Sequence, residues 1–235
     1  MLWARYDCRT GMLWARYDCR TGKKEELLEH LKSVGENANK IAQCLREVLN
    51  DMHTEAYYAG IFHDLFKIVY QPDNIDEYCK NHDRLSFPYH EILSAVFFSN
   101  YALRTENINL SEDQIRKVAK AILLHHQGLR AITLENFFEG YNLIIKRAKA
   151  RKDLNKLVND VLKSLRLGEV VDVYAFLDFR TLEGLLNRSS EEDRYLSGIL
   201  MIADNFSVGK NLNEKSKRLL EMEILDYLKA INCVD

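Results

Sequence analysis

Seven histidine and aspartate residues lie on or beside apolar helical stripes of this 235-residue chain: His30, the pair His63-Asp64, His90, the pair His125-His126, and Asp204. Imidazole nitrogens and carboxylate oxygens are good ligands for divalent cations, and one carboxylate can bridge two ions with its two oxygens. Taken singly, each residue has an ordinary reading. A lone histidine at the edge of a stripe is usually a hydrogen-bonded core residue. His125-His126 would close a helix whose dipole favours positive charge there, and Asp204 could pair with Arg194. The joint pattern is harder to dismiss, because burying so many ionisable groups without a common partner is costly for each one. A shared pair of cations removes most of that cost. Lys67, four residues after His63, falls on the same side if one helix carries both.

The elements that must position these residues are helices. Leu27, Leu31, Val34, Ala38, Ile41, Leu45 and Val48 recur at helical spacing over roughly 24–50, with His30 on the border of the stripe. A second helix is predicted over about 54–67, ending in Ala59-Gly60-Ile61-Phe62-His63-Asp64-Leu65-Phe66-Lys67. Residues 70–87 read as a polar loop, and Pro88 opens a third helix to about Tyr101, with His90 near its start. Ser111 and Gln114 form a capping box for a helix running through Ile115, Ala119 and Ile122 to His125-His126, and Gly128 is placed to end it. A long basic helical segment follows over about 133–167. Residues 168–179 fit either a short strand or a packed loop. Ser190 caps a helix that carries Asp204, and a last amphipathic helix covers roughly 213–231. The expectation is an all-α helical bundle in one domain.

Residues 1–11 and 12–22 are the same string, MLWARYDCRTG. A unit this short is no solenoid repeat, so 1–11 is read as a spare copy and 12–235 as the domain. No apolar run reaches the ~18 residues of a membrane span, and no signal-peptide layout opens the chain. With five cysteines and no CxxC pairing, the reading is of reduced thiols in a cytoplasmic protein. The net charge of −2 excludes a globally basic nucleic-acid binder but not a local patch. Within 146–166, Lys146, Arg147, Lys149, Arg151 and Lys152 stand out as a candidate track for a nucleic-acid backbone, a solvated helix face being the plain alternative. His53 and His82 read as surface residues.

The ordered set of EHLKSVG, FHDLFK, PYHEILSA, LLHHQG and IADNFS resembles the HD superfamily of metal-dependent phosphohydrolases. Within it the likeness is to the stand-alone HD nuclease subunit of CRISPR type I interference systems, whose opening WARYD and LLEHLKSVGENA also resemble. The resemblance covers about 12–207 and implies an HD-domain helical bundle. It implies that His30, His63, Asp64 and Asp204 hold one ion and that Asp64 bridges to a second held by His90, His125 and His126. Asp64 and Lys67 would be catalytic, Lys67 facing the substrate phosphate. Mixed nitrogen and oxygen ligands favour manganese, nickel, cobalt or iron over magnesium alone. The implied substrate is DNA, chiefly single-stranded, with RNA as the variant, supplied by a separate helicase subunit within a CRISPR effector complex and without a membrane. Phe66 stands where the family commonly has glycine, and Asn205 where it often has arginine. The alternatives are an HD nucleotidase or cyclic-nucleotide phosphodiesterase, and a non-catalytic HD scaffold, against which the intact set of seven ligands argues.

Overall fold

The apolar stripe Leu27, Leu31, Val34, Ala38 and Ile41 forms one face of helix α1 (Leu27–Cys44), and all five side chains are buried. The computed structural model describes residues 12–47, 51–126, 134–180 and 191–208. Helix α2 (His53–Phe62) lies along α1, and two glycines meet where they touch. A Cβ on Gly60 would stand 2.5 Å from Gly35 Cα, and one on Gly35 would stand 2.5 Å from Ile61 Cγ2. Only glycine at both positions lets the backbones approach this closely.

Helix α2 ends at Phe62, earlier than the expected Lys67, and Leu65–Tyr70 form a 3₁₀ helix whose six residues are all buried. Helix α3 (Ile75–Cys79) interrupts the expected loop. Helix α4 (His90–Arg104) starts just after Pro88 and is buried over nearly its whole length. Its Phe97, Phe98 and Tyr101 meet Phe62 and Phe66 in tilted and edge-on ring contacts at the centre of the core, and Phe97 stacks on Tyr101. Helix α5 (Glu112–Leu124) begins with the expected box, in which Ser111 Oγ accepts from Gln114 N and Gln114 Oε1 accepts from Ser111 N. Helices α6 (Leu134–Ala150) and α7 (Leu154–Ser164) follow, then a 3₁₀ turn at Val173–Phe176 and helix α8 (Glu191–Val208). Helices α1, α2, α5 and α8 pack on one another, and α4 closes against α5.

The all-α reading holds, with one addition. Residues 24–26, expected to open the first helix, are a strand: β1 (Trp14–Tyr17) and β2 (Lys24–Glu26) form an antiparallel hairpin. Trp14 and Gln71 tie it to the 3₁₀ helix through a reciprocal pair, Trp14 N to Gln71 Oε1 at 2.9 Å and Gln71 Nε2 to Trp14 O at 2.8 Å. Leu85 N donates to Tyr17 O and Cys19 N to Asp83 O. That pairing sets Cys19 beside Cys79 across 60 residues, and the two are joined by a disulfide. The expectation of reduced thiols fails there.

The single basic helix expected over 133–167 is broken between α6 and α7. Arg151 Nη1 donates to Gln71 O at 2.6 Å, and the Tyr174 hydroxyl lies 3.0 and 3.2 Å from the carbonyls of Ala148 and Arg151. These groups occupy the end of α6 and turn the chain. The ambiguous 168–179 stretch is a packed loop with a 3₁₀ turn, not a strand. The duplicate 1–11, the Ser190 cap and the helix over 213–231 lie outside the described residues.

Candidate metal centre

Each candidate ligand sits at a place its helix makes special. His30 is on the buried face of α1, one turn from the helix start. His63 is the C-cap of α2, and Asp64 precedes the 3₁₀ helix. His90 is the first residue of α4 and follows Tyr89, whose φ of 63° lies in the left-handed region. Such backbone is uncommon for a bulky side chain and collects at functional positions. His125 is the C-cap of α5, with His126 beside it, and Asp204 comes from the last part of α8.

These ends converge on one point in two adjoining groups, Asp64 with His90, His125 and His126, and His30 with His63 and Asp204. Within each group the ligand atoms lie within 4.8 Å of one another. The two oxygens of Asp64 face opposite groups. Oδ2 is 3.0 Å from His30 Nε2 and 3.3 Å from His63 Nε2. Oδ1 is 2.6 Å from His90 Nε2 and 3.8 Å from His125 Nε2. Asp204 Oδ1 lies 3.4 Å from His30 Nε2.

The histidines are held from behind. His63 Nδ1 is 2.7 Å from Gly60 O, His90 Nδ1 is 2.5 Å from Phe87 O, and His125 Nδ1 is 2.5 Å from Ile122 O. A carbonyl only accepts, so each Nδ1 carries a proton and each Nε2 is turned inward, where the neutral form of the ring offers a lone pair. Two such Nε2 pairs nearly touch, His30 with His63 at 3.3 Å and His90 with His126 at 3.4 Å. Asp64 Oδ1 and His125 Nε2 are buried and make no hydrogen bond. Converging lone pairs and orphaned buried acceptors are what a cation would satisfy, so the donor set fits divalent ions with nitrogen and oxygen ligands.

Electrostatics runs the same way. Burial opposes ionisation of Asp64, but His63, Lys67 and His90 outweigh it and hold the carboxyl well below the usual range. Burial opposes ionisation of the half-buried Asp204 as well, but His30 and His63 outweigh it and draw it down to about 2. Burial disfavours charge on His30, yet hydrogen bonds to Asp64 and Glu25 push it up to about 9. His126, half-buried and desolvated beside His125 and His90, falls to about 2.

Lys67 does not point at solvent. It is buried, with Nζ 2.5 Å from Asp64 Oδ2 and 3.3 Å from Ala15 O. Its link to the site runs through Asp64, three residues back, because a 3₁₀ helix eclipses positions i and i+3. Of the basic track, Lys146, Arg147, Lys149 and Lys152 are exposed. Arg151 is partly buried and engaged with Gln71 O and Asp153. Arg147, Arg151 and Lys152 line a cleft of about 560 Å³ with Val69, Asp73 and Asp153. His53 bonds to Asp51 and His82 stacks on Tyr78, both outside the two ligand groups.

Two residues at the site carried no sequence signal. Glu25 Oε1 lies 2.9 Å from His30 Nδ1, and Arg16 Nη2 donates to Asp204 Oδ1 at 2.9 Å. Both come from the hairpin. Glu25 sits in a run of charged residues and Arg16 in the duplicated string, where neither stands out.

Among models of known families, the one described as HD domain matches residues 27–230. No curated protein and no solved structure matches the chain.

Proposed function

The chain belongs to the HD domain family and is a metal-dependent phosphohydrolase, and we propose that it is a two-metal nuclease acting on the phosphodiester bonds of single-stranded DNA. The observation that carries this reading is the division of Asp64, one oxygen toward each group of ligands. In this reading His30, His63 and Asp204, with Asp64 Oδ2 beside them, would hold one ion, and Asp64, His90, His125 and His126 would hold the other. When bound, such ions supply Lewis acidity toward phosphoryl oxygens and lower the pKa of water.

The chain's own residues do the rest. The carbonyls of Gly60, Phe87 and Ile122 fix three imidazoles so that little reorganisation accompanies reaction. Lys67 sets its ammonium 2.5 Å from Asp64 Oδ2, where a positive side chain offsets negative charge gathering at phosphorus. His30, His63, Asp64, His90 and His125 are themselves buried, so little bulk water reaches the rear of the site.

A polymeric substrate is favoured over a nucleotide by the basic cleft. It begins at Val69, on the same 3₁₀ helix that leaves Asp64, so the rise of ~2 Å per residue sets its edge about 10 Å along the axis from the ligands. That is a short walk along a nucleic-acid backbone. The likeness to the CRISPR nuclease subunit adds a separate helicase, an effector complex and a role in antiviral defence to the proposal. None of the described helices is long and apolar enough to cross a membrane. A cytoplasmic setting belongs to the same proposal. The hairpin is held to the bundle by the Cys19–Cys79 disulfide together with Trp14–Gln71 and its pairing with residues 83–85.

The test is incubation with manganese and circular single-stranded DNA, beside circular RNA, nucleotides and cyclic nucleotides. Linear and then shortened DNA is expected. Turnover of nucleotides with intact circles would assign the site to a nucleotidase.

A further inference from the structure

His63, His90 and His125 each lie at a helix end, where a backbone carbonyl is free to accept from Nδ1. His30 does not. It stands inside α1, where backbone carbonyls are already used by the helix ladder. Its Nδ1 meets two other acceptors: Glu25 Oε1 at 2.9 Å and Ser207 Oγ at 3.3 Å. Ser207 gives its own proton to Asp204 O at 2.7 Å, so it offers Nδ1 only lone pairs. Glu25 is the shorter and the charged contact. Its second oxygen lies 3.7 Å from Arg16 Nε, and Arg16 in turn holds Asp204. The hairpin therefore carries two residues that touch candidate ligands, Glu25 reaching His30 from behind at Nδ1 and Arg16 meeting the Asp204 oxygen that also faces His30 Nε2.

We propose that Glu25 is a positioning residue for the metal centre, supplying from the hairpin the acceptor that helix ends supply to the other histidines. It keeps the proton of His30 on Nδ1 and leaves Nε2 bare toward Asp64 and His63. A carboxylate in that place also makes the imidazole a stronger donor to a cation. The inference rests on the metal-centre reading above, and it makes the hairpin part of the site rather than a decoration of the bundle.

The test uses the full chain and two probes, manganese for affinity and cadmium for nuclear magnetic resonance. In cadmium-loaded wild type the His30 ring should show one protected N–H, on Nδ1. Glu25→Ala should lose that protection and bind one of two manganese ions about 10- to 100-fold more weakly, with the other ion unaffected. Glu25→Gln, which still presents an oxygen, should restore most of the affinity and the protected proton. If Glu25→Ala does not fold, Glu25→Asp decides, since it keeps the charge but falls short of Nδ1 and should show the same loss. Unchanged affinity and an unchanged ring proton in Glu25→Ala, or in Glu25→Asp where that variant stands in, overturn the assignment while leaving the metal centre standing. A wild type that takes up neither ion overturns the metal centre itself.

Discussion

The ammonium of Lys67 lies 2.5 Å from Oδ2 of Asp64, and both groups are buried. A fixed positive charge against a metal-binding oxygen repels the ion yet stabilises negative charge gathering at phosphorus. Lys67→Ala is therefore expected to bind manganese at least as tightly as wild type while hydrolysing phosphodiesters on the order of 100-fold more slowly. Titration calorimetry and single-turnover rates check the two halves separately. A variant that loses affinity and rate together would make Lys67 only a prop for Asp64.

The contact of Gly35 with Gly60 sets how closely His30 approaches His63. Gly60→Ala forces a Cβ to within 2.5 Å of Gly35 Cα, a backbone atom that cannot swing aside. A loss of about 1–3 kcal/mol is expected in denaturant unfolding, with weaker metal binding because His63 lies three residues on. Gly198→Ala, in α8 with nothing near the added carbon, is the control and should stabilise by up to about 1 kcal/mol.

The pKa of His30, pushed up to about 9 from 6.5, has a sign that can be checked. In metal-free protein the charged imidazole stabilises the fold fully below pH 6.5, and that contribution is lost as pH rises through about 9. Asp204 works in reverse: its contribution is present above pH 3.8 and is lost as pH falls through about 2. A bound ion must displace the His30 proton. Manganese affinity should therefore climb with pH up to about 9 and then level off, with protons released in calorimetry run in different buffers. Flat affinity between pH 6.5 and 9 would exclude His30 as a ligand.

Much of the site was legible because its chemistry sits at helix ends and stripe edges, which periodicity locates. His125 and His126 follow directly from the capping box at Ser111 and the count of turns. Asp64 was legible as a ligand, and its bridging place as what the family resemblance implies, but the end of α2 and the 3₁₀ helix that follows Asp64 leave no mark on an apolar run. The break at Arg151 was hidden because the charge pattern runs on through it, and the ties that make the corner come from Gln71 and Tyr174, far away in sequence. The hairpin was invisible for a similar reason. Its strands are short and polar, and its partners Gln71, Asp83 and Cys79 are supplied by tertiary structure.

The basic face gives a prediction in salt. Reversing Lys146, Lys149 and Lys152 to glutamate should weaken single-stranded DNA binding and flatten its log–log salt slope by about 0.7 for each phosphate contact removed. Hydrolysis of a small chromogenic phosphodiester should be unchanged, because all seven candidate ligands lie outside α6 and the α6–α7 corner. Arg151→Glu should instead lower the melting temperature, since its guanidinium is bonded to Gln71 O. Normal DNA binding by the triple variant would make this face merely solvated.

Asp64 faces both groups of ligands, and the number of bound ions tests its bridging role most directly. Metal analysis of manganese-loaded protein should find two ions per chain in wild type and in His53→Ala. Asp64→Ala, with its helical content retained, should hold fewer than one and hydrolyse nothing. Two ions retained in Asp64→Ala would contradict the bridging role and with it the proposed chemistry.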